Sequence, residues 1–257
     1  MSRLISAQAA ALAMMLAAPA IAADLSPENA TPFTARFSWT SCFLGGHVGG
    51  GFAQRDVTDP VQLVQDSFLF PGATVGTTTA SLSPTGAVIG GQIGCDYQFA
   101  SPWVVGIEGS ASGSTIKGSS NVGLPLGNPD VAFVKANTDF LSSVTGRVGY
   151  AFDRVLVYAR GGVALADDKY DVIGSFTGAP YSFEGLDLRL GWVAGGGVEW
   201  AFSRHWSANF EYDYYQFGHN GVLMSDSINS FAGNMDVKQS IQVVKVGLNF
   251  HIWGAGW

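Results

Sequence analysis

The sequence predicts an all-β fold: an eight-stranded antiparallel up-and-down transmembrane β-barrel with short periplasmic turns and long extracellular loops. Three observations lead to this prediction. Segments of about ten residues alternate between a large apolar face and a small or charged face, as strands do. The connections between these segments are alternately short and long. Most of the tryptophans lie at the strand ends that the short turns join.

The composition is that of a folded chain with little affinity for polyanions. Of the 257 residues, 47% are hydrophobic and 13% are charged, which excludes a disordered chain. The formal net charge of -7 leaves no basic surface, so we expect no nucleic acid partner.

Residues 1–22 have the features of a secretory signal peptide. Arg3 precedes the apolar stretch Leu4–Ile21, and small residues at its end predict cleavage before Ala23. A membrane anchor is the alternative, but Pro19 and the polar residues that follow disfavour it. No later stretch approaches the roughly 18 uninterrupted apolar residues of a spanning helix, so insertion must use strands.

We expect residues 23–37, with two prolines and no periodic pattern, to be a periplasmic linker, and residues 38–257 to form the barrel. In chain order, the predicted strands lie near 39–53, 86–100, 103–110, 143–152, 155–166, 190–202, 206–214 and 238–253. The short turns are predicted at Ala100–Pro102, Asp153–Arg154 and Ser203–His205, and the long loops at 54–85, 113–138, 167–186 and 219–237.

The alternation is clearest in five of these strands. Their apolar faces carry Trp103, Val105 and Ile107; Val144, Val148, Tyr150 and Phe152; Leu190, Trp192, Val198, Trp200 and Phe202; Trp206, Phe210, Tyr212 and Tyr214; and Val244, Val246, Leu248, Phe250 and Ile252. Since a soluble barrel would keep such a face inside, the aromatic side chains are the better match for lipid. The charged face is therefore predicted to line the interior.

The predicted interior carries a charged network. Its members are Glu108, Arg147, Arg160, Arg189, Glu199, Glu211 and Lys245. Side chains fill the interior of a barrel of about eight strands, and buried charges there must be paired. Glu108 and Arg147, on consecutive strands, are predicted to meet. Glu199 and Glu211 are predicted to find their cations across the lumen, among Arg160, Arg189 and Lys245.

The tryptophans at the short-turn end predict a periplasmic aromatic girdle. Its members are Trp39, Trp103, Trp200, Trp206 and Trp253. Tryptophans that cap a sandwich core are the alternative, but a core would not sort them to one end.

No catalytic, cofactor-binding or metal-binding residues are predicted. The triplet His205-Trp206-Ser207 has the His-x-Ser order of outer-membrane lipid deacylases, but it lies at a periplasmic turn, away from the outer leaflet. Ala166–Asp171 reads as a solvated loop start, with a divalent cation shared with lipopolysaccharide as the alternative. His47 and His251 face inward without a ligand cluster.

Seven stretches, in order, resemble the small outer-membrane β-barrel family of alpha-proteobacteria, the opacity-like major surface proteins of rhizobia and their relatives. They are WTSCFLGGHVGGGF, GAVIGGQIGCDYQF, WVVGIEG, GRVGYAFDRVLVYARGGVA, GWVAGGGVEWAF, NFEYDYYQFG and VKVGLNFHIW. The resemblance covers residues 38–253. It implies an eight-stranded monomeric barrel in the outer membrane, with roles in envelope integrity and surface interaction and no established active site.

The sequence departs from the family in two places. Ile252 occupies the position of the usual terminal aromatic, which leaves Trp253 or Trp257 as the assembly signal. Cys42 and Cys95 stand where the family commonly has other residues. Both fall on the outward face of neighbouring strands, so a disulfide is predicted, with two separate thiols in lipid as the alternative.

The sequence thus predicts a non-enzymatic envelope protein of the bacterial outer membrane, with its lumen filled and its loops available for surface interaction. The expected partners are outer-membrane lipids, lipopolysaccharide and the outer-membrane assembly machinery, and the expected state is a monomer without cofactors. A narrow porin for small solutes is the main alternative. A soluble periplasmic lipocalin-like ligand-binding barrel is the second.

Overall fold

The computed structural model describes residues 37–58, 78–100, 102–122, 132–176, 179–226 and 232–252. The predicted signal peptide, most of the predicted linker, and Trp253 and Trp257 lie outside these ranges. Within them there is no helix with the length and apolar character needed to cross a bilayer.

The described chain forms nine antiparallel strands that close into one barrel. They are β1 (Ser41–Thr58), β2 (Thr78–Leu82), β3 (Thr85–Gln98), β4 (Trp103–Val122), β5 (Ala132–Phe152), β6 (Val155–Phe176), β7 (Ala179–Ala201), β8 (Trp206–Asp226) and β9 (Ala232–His251). Each strand from β3 to β9 pairs with the next, and β1 pairs with both β3 and β9. The short β2 pairs with the outer part of β1 and continues the line of β3, so the wall has eight staves. This confirms the predicted fold class.

Side chains alternate between the two faces of the wall as the sequence predicts. On β7, Val198 and Trp200 are 43% and 55% exposed on the outside, whereas Glu199 between them is fully buried. The exposed large residues form a continuous apolar exterior on every stave, which is the surface that lipid requires. This exterior is the opposite of what a soluble ligand-binding barrel would present.

The strands extend well beyond their predicted outer ends. Residues 113–122 and 132–138, predicted as parts of one loop, belong to β4 and β5, and the predicted loop at 167–186 is mostly β6 and β7. The sequences of these segments do not alternate regularly between large apolar and small residues, but their Ser, Thr, Asn and Asp content does not prevent backbone pairing. Loss of alternation therefore did not mark the end of the strand.

Several register shifts lie where the strands continue beyond their predicted ends. They occur between Gly113 and Ile116 on β4, between Thr138 and Phe140 on β5, and between Gln216 and His219 on β8. Gly218, within the β8 shift, has a φ of 62°, a conformation that favours glycine. Such bulges bend a strand and increase its twist, so the outer part of the wall changes direction there.

The interior contains an apolar layer that the sequence analysis did not predict. We call it the septum, and all eight staves contribute to it: Ala53, Val88, Ile116, Leu141, Ala164, Ala166, Val193, Tyr215, Phe217, Ile241 and Val243. Along β6 the inward residues run from Arg160 through Ala164 and Ala166 to Asp168. Polar layers therefore lie on both sides of the septum.

A second apolar cluster, which we call the plug, closes the short-turn end of the lumen. It contains Trp39, Val104, Ala151, Leu156, Tyr158 and Ala201. The indole of Trp39 donates to the carbonyl of Asp153 at 3.0 Å, and its backbone N–H donates to the Gln98 side chain at 2.8 Å. Asp153 itself, in the two-residue turn after β5, has a φ of 54°.

The assignment of Trp39 to the outer girdle was therefore wrong. Trp39 precedes β1 and has the same parity as the inward residues Phe43 and His47, so it turns into the lumen, where it is fully buried. The exterior at the short-turn end does carry Trp103, Trp200 and Trp206. Their rings contact those of Tyr150, Phe202 and Phe250, respectively.

Replacement of Trp39 should test the plug. Trp39→Ala would leave a cavity among apolar neighbours, and we expect the free energy of unfolding to fall by about 3–5 kcal/mol. The matched variant Trp103→Ala removes a lipid-facing ring, whose space lipid can fill, and should cost less. Urea titration in lipid vesicles measures both. Equal losses for the two variants would contradict the inward position of Trp39.

Candidate functional site: the luminal ion-pair cluster

A cluster of buried charges fills the lumen between the plug and the septum. Its carboxylates are Asp96, Glu108, Glu199, Glu211 and Asp213, and its permanent cations are Arg147, Arg160 and Lys245. Each of these side chains is at most 3% exposed. Since five carboxylates face three cations, every cation is shared by two or three carboxylates.

Arg147 on β5 is the hub nearest the short-turn end. Its Nε donates to Asp96 Oδ1 at 2.7 Å and its Nη2 contacts the other Asp96 oxygen. Its Nη1 lies 3.4 Å from Glu108 Oε2 and 3.3 Å from Glu199 Oε2. The guanidinium carbon also lies 4.6 Å from the centre of the Phe43 ring, which is a cation–π distance. One side chain thus joins β5 to β1, β3, β4 and β7.

Arg160 and Lys245 hold the part of the cluster nearer the septum. Arg160 Nη1 lies 2.8 Å from Glu108 and 2.9 Å from Glu211, and its Nε lies 3.3 Å from Asp213. Lys245 Nζ lies 2.9 Å from both Glu211 and Asp213. The two cations therefore bridge β4 and β6 to the hairpin of β8 and β9.

Neutral polar side chains connect His47 to Glu199. Gln92 donates to Asn249 at 2.6 Å, and Asn249 donates to Glu199 at 2.8 Å. The remaining oxygen of Gln92 lies 2.9 Å from His47 Nδ1, so this ring nitrogen must carry the proton. Ser112 lies 2.7 Å from His47 Nε2 and can donate to it. Every donor in this series of hydrogen bonds points toward the Glu199 carboxylate.

A second series of hydrogen bonds reaches Glu199 from the short-turn end. Ser207 donates to Glu199 at 2.5 Å and lies 2.9 Å from His251 Nε2. Because the Ser207 hydrogen is used, His251 Nε2 must donate to Ser207. Ser41 lies 2.7 Å from the other ring nitrogen of His251. The serine, imidazole and carboxylate are all fully or nearly buried behind the plug, and the serine hydrogen faces the carboxylate.

A smaller charged group lies on the outer side of the septum. Arg55 Nη2 lies 2.9 Å from Asp168 Oδ1, and Arg189 Nε lies 3.6 Å from Asp168 Oδ2. Thr138 donates to Asp168 at 2.6 Å, and Gln239 does so at 3.4 Å. The lumen therefore has polar groups on both sides of one apolar layer.

The structure brings most of the predicted interior charges together but changes some partners. Glu108 and Arg147 meet, and Glu211 contacts Arg160 and Lys245, as proposed from the sequence. Among the contacts described, the cation of Glu199 is Arg147, not Arg160, Arg189 or Lys245. Arg189 lies beyond the septum instead, because β7 carries it ten residues from Glu199 toward the outer end.

Several charged residues of the interior are absent from the predicted network. Asp96 and Asp168 were not assigned to the interior, and Arg55 fell at the edge of a predicted loop. Their positions along the strands indicate the inward face, because residues an even number of positions apart on a strand share a face. Asp96 follows the inward residue Gln92 by four positions on β3, and Arg55 follows His47 by eight on β1. Asp168 was missed because Ala166–Asp171 lies within β6, so Asp168 points inward while Lys169 is exposed. The prediction that Ala166–Asp171 begins a loop was therefore wrong.

Cys42 and Cys95 are joined by a disulfide, and the two residues are direct register partners on β1 and β3. In the described part of the chain, no group of three or more His, Cys, Asp or Glu residues is arranged to hold a metal ion. The luminal cluster occupies the lumen between the plug and the septum, and its charged side chains lie against one another in the ion pairs given above.

Comparisons with known proteins point in one direction. Residues 8–250 match the family described as outer membrane protein beta-barrel domain. The chain is 30% identical over 254 residues to the 31 kDa outer-membrane immunogenic protein of Brucella melitensis biotype 1, covering 94% of this chain and 97% of that protein. It is 24% identical over 243 residues to the 25 kDa outer-membrane immunogenic protein of Brucella abortus biovar 1, covering 86% and 94%. Among solved structures, the outer membrane protein OprG from Pseudomonas aeruginosa matches with a TM-score of 0.50 and 16% identity, over 84% of this chain and 98% of that one, which bears on the fold alone.

Removal of Arg147 should destabilise the barrel strongly. Arg147→Met keeps much of the length of the side chain but leaves Asp96, Glu108 and Glu199 without their shared cation. We expect the free energy of unfolding to fall by about 3–5 kcal/mol, as when one partner of a buried ion pair is removed. Urea titration in lipid vesicles measures the change. The control is Lys169→Met, which breaks an exposed ion pair with Asp139 and should leave the midpoint in place. Coincident unfolding curves for the two variants would argue against a cohesive cluster.

Proposed function

The chain belongs to the outer membrane protein beta-barrel domain family and lies in the bacterial outer membrane, and from this we propose that it is a structural, surface-exposed envelope protein. In this proposal it conducts no solute and catalyses no reaction. Its wall stabilises the membrane, and the outer ends of its strands present the connecting segments to the surroundings.

The observation that carries the proposal is the filled lumen. A solute moving along the barrel axis would have to pass the plug around Trp39, the luminal ion-pair cluster and the septum in succession. Passage through the cluster would separate buried ion pairs, and passage through the septum would place a hydrated solute against side chains such as Ile116 and Phe217. The narrow porin alternative therefore has the weaker support.

The absence of catalysis is part of the same proposal. The Ser207 hydroxyl is fully buried and donates to Glu199, so it is not presented to a lipid or to a soluble substrate. A nucleophile needs an accessible face as well as a neighbouring base, and Ser207 has the carboxylate beside it but no accessible face. The relatives named above are likewise described as outer-membrane immunogenic proteins.

The proposed partners follow from the exterior. The apolar wall suits outer-membrane lipids, and the strands that continue beyond it reach the level of lipopolysaccharide. We propose that the barrel is monomeric, since its wall closes on itself through the β1–β9 pairing and leaves no strand edge in the closed part. Insertion would require the outer-membrane assembly machinery.

Planar-bilayer recording tests the closed lumen. Purified protein that shows heat-modifiable gel mobility, and is therefore folded, should give no steady single-channel steps in salt solution. A general porin reconstituted in the same way serves as the positive control for insertion. Reproducible steps whose amplitude grows with salt concentration would overturn the proposal in favour of transport.

Surface labelling tests the orientation. A peptide tag inserted between β8 and β9, within 227–231, should bind antibody on intact cells. The same tag in the turn at Ser203–His205 should bind only after the outer membrane is permeabilised, because short turns face the periplasm. Both variants must retain heat-modifiable mobility to be compared. Labelling of the Ser203–His205 tag on intact cells would reverse the assignment.

A further inference from the structure

The Cys42–Cys95 disulfide lies on the outer face of the wall. Its flanking outward residues are Leu44, Ile93 and Tyr97, which are 58%, 51% and 56% exposed to the lipid side. The bond joins β1 to β3 and closes a chain segment with a sequence separation of 53 residues. It is therefore a covalent link between the first two staves, on their outward face and close to the short-turn end.

The pairing of these two staves is weakly specified by side chains. From Gly45↔Gln92 to Gly51↔Gly86 there are seven register pairs, and six contain at least one glycine, the exception being Val48↔Ile89. Strands rich in glycine are prone to register slippage because few side chains resist it. A slip of two residues is the most dangerous, since it keeps every side chain on its own face.

An error in this pairing would spread to the closure of the barrel. β1 pairs with β3 on one side and with β9 on the other, from Phe43↔His251 to Thr58↔Asp236. A displaced β1 would move His47 away from Gln92 and Ser41 away from His251, so each of the two hydrogen-bonded series that reach Glu199 would lose its end member. The disulfide fixes the one register in which these contacts form.

The position of the bond also constrains when it can form. Disulfide exchange requires a thiolate as the attacking group, and an ionised sulfur on a lipid-facing surface is strongly disfavoured. The register must also be set before β1 pairs with β9, because that pairing closes the wall. The chemistry therefore belongs to the periplasmic stage, before the hairpin enters the membrane.

We propose that Cys42 and Cys95 are oxidised by a periplasmic thiol oxidase before insertion, and that the bond locks the register of the glycine-rich pair β1–β3. In this step the two thiols lose two electrons and two protons as the sulfur–sulfur bond forms. The disulfide of the oxidase accepts them and becomes a dithiol. The locked pair then offers the free edge of β1 to β9 in the correct register.

A pulse-chase experiment tests the order of events. Newly made protein is separated into periplasmic and membrane-integrated fractions, denatured in acid, and treated with a maleimide polymer that shifts chains with free thiols. The proposal expects oxidised chains in the periplasmic fraction and no free thiols in the integrated fraction at any time. Integrated chains that carry free thiols first and lose them later would overturn it.

Three variants test the register lock. Cys42→Ser/Cys95→Ser should assemble at least severalfold more slowly than the wild type, because the link that fixes the register of a glycine-rich pair is gone. Adding Leu44→Cys/Ile93→Cys to that variant restores a bond between native register partners of the same pair type, and should restore the rate. Cys95→Ser/Ile93→Cys instead allows a bond only in a pair displaced by two residues.

The displaced variant should lose heat-modifiable mobility when oxidised and regain it when refolded under reducing conditions. If the serine variant does not fold at all, rescue by the relocated bond still supports the lock. Equal assembly rates for all variants, or normal folding of the oxidised displaced variant, would contradict it.

Discussion

The pairing of ionised side chains inside the wall is the constraint on which the rest of the structure depends. A barrel with an apolar exterior must hold its charges inside, and charges held there need partners because water does not reach them. Arg147 and Glu199 meet this requirement with contacts to β1, β3, β4, β8 and β9. These contacts span strands that are far apart in the sequence, so the cluster forms only when the whole wall is in register.

Much of the fold could be predicted from alternation, because a strand that separates lipid from a filled interior must change character at every residue. The inward position of Glu108, Glu199 and Glu211 follows from parity alone. Partner choice does not, since contacts across the lumen depend on the stagger of eight staves. That stagger is why Glu199 meets Arg147 and why Arg189 lies on the far side of the septum.

Three features of the structure differ from the sequence prediction, each for its own reason. Trp39 was assigned from its residue type, whereas its parity places it in the plug. The outer parts of β4 to β9 were predicted as loops because their sequences lack a regular alternation of apolar and polar residues. The septum was not predicted because its residues, such as Ala53 and Val88, are apolar residues on the same face of the strands as the charges. Sequence patterns report the solvent around a strand more directly than they report the strand itself.

The continuation of the strands past the bilayer has a mechanical consequence. Backbone ladders hold the outer part of the wall to neighbouring strands, with interruptions at register shifts such as that between Glu184 and Trp192 on β7. Substitutions, insertions or deletions in the segments that join the strand tops are insulated from the spanning region by several rungs of paired backbone. Changes in those segments therefore lie several paired residues away from the contacts of the luminal cluster.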